Sequence, residues 1–173
     1  MTPLPLEQWR DFYVLIGTAA GVIVGANFVV VTLAGNMPNR QIGVRGFITP
    51  TAVHLASVLV GSAILAAPTL NGTFLTLLLG GGGVAGVIYA IVVITRIWKL
   101  KLAPEDRIFY CVLPLLVYVA LAAASLLAAR DGETCLEVIA AAFVALLLVG
   151  MRNAWDMASF TMMRDPNDPP PEI

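Results

Sequence analysis

The sequence predicts an all-α transmembrane bundle of five helices, and three observations predict it. Five apolar stretches lie at about 12–34, 47–67, 74–98, 108–129 and 136–163. Each supplies the roughly 20 residues of helix that a hydrocarbon core about 30 Å thick requires. Charged residues make up only 12% of the 173-residue chain and hydrophobic ones 59%, with a mean hydropathy of +0.88. A soluble domain carries about 25% charge, which a lipid-facing surface cannot hold. Finally, the basic residues are segregated by side. Arg40, Arg45, Arg96, Lys99, Lys101, Arg107, Arg152 and Arg164 fall on one side of such a bundle, Arg10 and Arg130 on the other, eight against two. The positive-inside rule then places the N-terminus outside and the C-terminus in the cytoplasm.

Residues 1–163 read as one transmembrane domain and 164–173 as a disordered cytoplasmic tail. The tail holds Asp165-Pro166 and Pro169-Pro170-Pro171, and proline cannot continue a helix. The first ten residues lack the basic start of a cleavable signal peptide. No basic stripe interleaved with aromatics speaks for nucleic acid.

Helix 1 carries Gly17, Gly21 and Gly25. Residues four apart share a helix face, and glycine there lets a neighbouring backbone approach closely. Helix 2 opens on Thr49-Pro50, read as a cap followed by a first-turn proline. Helix 3 contains Gly80 to Gly83 and Gly86, with Gly82 and Gly86 four apart. These glycines suit packing of helix 1 on helix 3, or a seam between copies of the chain. Pro114 lies inside helix 4 and should kink it or free a carbonyl near Tyr110. Cys111 and Cys135 sit at opposite ends of helix 4 and its following loop, about 36 Å apart if helical throughout, too far for a disulfide.

With helices 1, 3 and 5 running inward and 2 and 4 outward, the polar side chains gather at the cytoplasmic half. Asn27 is late in helix 1. Thr49, Thr51 and His54 are early in helix 2, and Tyr89, Thr95 and Arg96 late in helix 3. Tyr110 and Cys111 are early in helix 4, and Arg152, Asn153 and Asp156 late in helix 5. His54 is the single histidine. A buried imidazole needs a partner, and Asp156 and Asn153 are the natural candidates. Arg152 and Asp156, four apart, can pair on their own helix. An intramembrane ionisable group is a functional hypothesis by default. His54, Asp156, Asn153, Arg152, Asn27 and Tyr89 are therefore the candidates for handling ions or protons. Ordinary architecture accounts for the same residues as a bonded histidine beside an interfacial Arg–Asp pair.

The run Arg152-Asn153-Ala154-Trp155-Asp156, the glycine-bearing helix 1 with Asn27-Phe28-Val29, and Phe47-Ile48-Thr49-Pro50-Thr51-Ala52-Val53-His54 together resemble an uncharacterised family of small bacterial integral membrane proteins. The resemblance implies a bacterial inner membrane and supplies no activity.

No carboxylate pair, Ser–His–Asp spacing or H-E-x-x-H is present, so a non-enzymatic role without metal or cofactor is expected. The expected function is a small oligomeric channel- or transport-like protein in contact with membrane lipids. The alternative is an accessory or scaffold subunit of a larger membrane complex.

Overall fold

The computed structural model describes residues 5–35, 41–67, 72–98, 103–128 and 130–163. Every element among them is helical: α1 (Leu6–Gly35), α2 (Gln41–Ala66), α3 (Gly72–Ile97), α4 (Pro104–Leu127) and α5 (Gly132–Met163). All five are long and apolar enough to cross a membrane. The chain is thus compatible with a multi-pass membrane protein. The expected tail 164–173 and the basic residues Arg40, Lys99, Lys101 and Arg164 lie outside the described residues.

The helices begin earlier than hydropathy suggested. α2 starts at Gln41, so Pro50 is inside the helix and Thr49 does not cap it. The segment Gln41 to Gly46 is too polar and glycine-rich to read as membrane-spanning, yet it continues the helix. Likewise α5 starts at Gly132, which places Cys135 in its first turn and not in a loop. Asp131 caps that turn. Its Oδ1 accepts from the Thr134 amide at 3.1 Å and its Oδ2 from the Thr134 hydroxyl at 2.6 Å. These bonds hold the carboxyl below its ordinary value. Cys111 and Cys135 are both buried and free.

α5 is the centre of the bundle, packing against α1, α2 and α4. Half of its apolar span is buried, against 17% for α1. Gly17 lies at Ser62, where an added Cβ would come 2.9 Å from the serine Cβ, and Gly21 lies at Leu59. Falling numbers on one helix match rising numbers on the other, so α1 and α2 are antiparallel. Gly61 beneath the Phe143 ring and Gly150 against Leu55 set α2 antiparallel to α5. Gly80 at Ser125, Gly83 at the Ala122 backbone and Gly86 beneath Tyr118 do the same for α3 and α4.

The glycine faces therefore work, but not as a helix 1–helix 3 seam. α1 uses Gly17 and Gly21 on α2, and α3 uses Gly80, Gly83 and Gly86, three apart, on α4. The run Gly80 to Gly83 stays helical. Its Gly81 and Gly82, like Gly25 of α1, face open space. Lacking a hydrophobic drive between helices in lipid, such close approach supplies the dispersion contacts that hold a bundle.

Exposed hydroxyls turn back on their own helices. Thr18 donates to the Val14 carbonyl at 2.7 Å and Thr32 to the Phe28 carbonyl at 2.8 Å. Neither hydroxyl is therefore left bare toward hydrocarbon.

α4 carries an irregularity. Ile108–Val112 form a π turn, in which the Leu113 amide reaches back to the Ile108 carbonyl. Pro114, two residues on, has no amide to bond Tyr110, so the ladder loosens at the place the sequence suggested.

Candidate functional site

His54 is 1% exposed, and its partner is neither Asp156 nor Asn153. Its Nδ1 lies 2.9 Å from the hydroxyl of Tyr118 on α4. That hydroxyl donates to Ser57 Oγ at 3.2 Å, and the Ser57 hydroxyl donates to the Val53 carbonyl at 2.8 Å. Ser57 follows His54 by three residues, so both reach Tyr118 from one face of α2. The back-bond to Val53, four residues earlier, is a usual resting place for a helical serine.

Tyr118 fits because of Gly86. A Cβ at that position would collide with the Cδ1 edge of the tyrosine ring, so the glycine lets the ring pack against α3 while its hydroxyl reaches across to α2. Tyr89, one turn on along α3, closes the far side of the imidazole, its ring edge-on to His54 with centroids 6.2 Å apart. Three helices thus enclose His54, with α2 contributing it, α3 walling it and α4 bonding it.

A fourth helix, α5, meets α2 at Leu55, the residue after His54, through Gly150. Asn153 is fully buried, and neither its amide oxygen nor its nitrogen has a hydrogen-bond partner among the described residues. His54 Nε2 is likewise enclosed and without a partner there. Buried polar atoms are ordinarily satisfied, so these two residues stand out.

Arg152 and Asp156 make a separate cluster nearer the helix ends. Arg152 Nη1 meets Asp156 Oδ2 at 2.9 Å, the pairing expected from their spacing. Its Nη2 also reaches Asp106 on α4 at 3.5 Å, and the guanidinium lies 3.9 Å over the Phe109 ring. Arg152 therefore clamps α5 to the first turns of α4. Arg107 lies over Trp98 at 5.4 Å. Of the remaining candidates, Asn27 stays on α1, its enclosed amide nitrogen lacking a hydrogen-bond partner among the described residues and so making no bond to His54.

Tyr118 and Ser57 escaped the sequence reading as members of the site. A signal was present: Tyr118 sits in the middle of an apolar span, too deep for its hydroxyl to reach interfacial water. Such a tyrosine needs an internal acceptor.

Among the described residues no group of three His, Cys, Asp or Glu could hold a metal ion. The chain matches no known family model, and no curated protein or solved structure is similar to it.

Proposed function

We propose that the chain is a small, oligomeric, non-enzymatic protein of a bacterial inner membrane with a channel- or transport-like role, in which His54 handles protons or ions. Its N-terminus lies outside and its C-terminus in the cytoplasm, following the charge asymmetry of the loops. The observation that carries the reading is the hydrogen-bonded series His54–Tyr118–Ser57, buried inside a bundle of apolar helices. Polar groups are costly at such depth, and packing alone would be served by apolar residues of similar size. Arg152, Asp106 and Asp156 form the polar mouth beyond Asn153 at the cytoplasmic end.

The test is proton and ion flux through purified protein in liposomes, with His54→Ala, Tyr118→Phe and Asp156→Asn alongside. Flux that His54→Ala and Tyr118→Phe both lower supports the reading, with a smaller effect of Asp156→Asn. Absence of flux from folded, inserted protein overturns it.

An accessory or scaffold role is the second reading, favoured by α1. From Gly21 to Thr32 that helix has no buried residue, and Val22, Phe28 and Val29 are exposed. Half of a spanning helix is thus left for a partner subunit or a second copy. Co-purification of a larger membrane complex would favour this reading.

A further inference from the structure

The order of donors around Tyr118 favours one place for the proton of the imidazole. The Ser57 hydroxyl hydrogen is committed to the Val53 carbonyl, so the serine oxygen can only accept from Tyr118. The tyrosine has one hydrogen and gives it to Ser57. With that order the phenol oxygen is left to accept from His54, which goes with the tautomer that carries its hydrogen on Nδ1, 2.9 Å away. A neutral imidazole with a hydrogen on Nδ1 has a bare acceptor at Nε2.

That acceptor is enclosed and unmatched, and so are both polar atoms of Asn153. The two residues belong to one level of the bundle. α2 and α5 cross where Leu55 meets Gly150; His54 precedes Leu55 by one residue and Asn153 follows Gly150 by three. Helical side chains lean toward their own N-terminus. On two antiparallel helices these two therefore lean toward each other's level.

We propose that His54 Nε2 and the Asn153 amide form a binding site for a small, neutral hydrogen-bond donor, namely one or two water molecules. Water donates to Nε2 and to the Asn153 oxygen and accepts from the Asn153 nitrogen. That gives it three polar partners, the usual number for an internal water. A bare cation is poorly served, because the nearby carboxylates Asp106 and Asp156 are both engaged by Arg152. The site deepens the proposed role of His54 by extending its bonded series to α5. It stands independently of flux, since water held at Nε2 in a non-conducting protein would leave it intact.

The test is solid-state NMR of protein carrying nitrogen-15 in histidine and asparagine, in lipid bilayers at neutral pH. The expected result is an Nδ1–H tautomer, an Nε2 shift typical of a hydrogen-bonded acceptor, and rapid magnetisation transfer from water to the Asn153 side-chain amide. Ser57→Ala should free Tyr118 to donate to Nδ1 and move the ring hydrogen to Nε2, a tautomer switch that a merely structural serine would not cause. Asn153→Leu should abolish the Nε2 hydrogen-bond signature. An Nε2–H tautomer in the unaltered protein overturns the assignment. An amide that receives no magnetisation from water overturns the guest.

Discussion

Two buried tyrosines use their hydroxyls in opposite ways. Tyr13 on α1 is fully enclosed, donates to the Leu136 carbonyl at 2.8 Å, and packs among Trp9, Phe12 and Phe143. Its polar end terminates on main chain that is already helical. Tyr118 is as deeply buried, but its hydroxyl stands between two side chains, one of which has an unmatched nitrogen beyond it. The first tyrosine ties α1 to α5 and ends there. The second relays a bond order from Ser57 to His54 and leaves an acceptor at the far end. Burial alone therefore does not distinguish the two tyrosines; what distinguishes them is whether the hydrogen bonds close.

The largest expected effect tests whether the two regions are independent. Phe143→Ala removes the ring that packs on Tyr13 and covers Gly61. Such truncations of a buried Phe cost about 3–5 kcal/mol. Unfolding in detergent should show that loss, while the His54 NMR signals stay in place. If they move, the regions are coupled through α5 and the comparison fails.

Gly86→Ala strikes the other region. Its Cβ cannot coexist with the Tyr118 ring, and overpacking of this kind costs about 1–3 kcal/mol. Here the His54 signals should change, because the displaced ring carries the hydroxyl away. Gly81→Ala, where an added Cβ meets nothing within 4 Å, is the control, expected to leave both stability and His54 signals unharmed.

The two tyrosines can also be compared directly. Tyr118→Phe strands a buried donor on His54, a loss of about 1–3 kcal/mol. Tyr13→Phe removes one bond to a carbonyl within a helix, worth about 1 kcal/mol. Equal losses would mean that the Tyr118 network is closed like that of Tyr13.

The smallest effect is outside the spans. Asp131→Ala should speed amide hydrogen exchange at Thr134 without altering either tyrosine region. The cap should also weaken with acid. Because the folded carboxyl titrates below its ordinary value of 3.8, its stabilisation is present above that value and is lost as pH falls beneath it.

Much of this architecture could be read from the sequence, and the losses have physical causes. The five helices follow from apolar length. Their ends do not, because hydropathy marks where lipid begins and a helix can run past it, as α2 does through Gln41 to Gly46. Glycine spacing identified the smooth face of α1, but a smooth face does not name its neighbour, so α2 was missed as the partner. In α3 the working spacing is three, while Gly82, chosen by a spacing of four, faces outward. His54 was evident as a lone imidazole in an apolar run. Its partner was not, because ionic complementarity pointed to Asp156, which the nearer Arg152 already holds. Tyr118 reads as one more apolar residue until its depth is considered.

The π turn of α4 acts as a phase setter. It fits an extra residue into Ile108–Val112, between the part of α4 that bears Tyr118 and the part that bears Asp106. One residue of α-helix is a rotation of about 100°. Winding the same residues as ordinary α-helix would swing Asp106 round the axis relative to Tyr118, whereas deleting one residue as the ladder closes would keep the two nearly in phase. The grip of Arg152 and the bond to His54 both depend on α4, and one residue of slack lets a single helix face α5 at its foot and α2 at its waist.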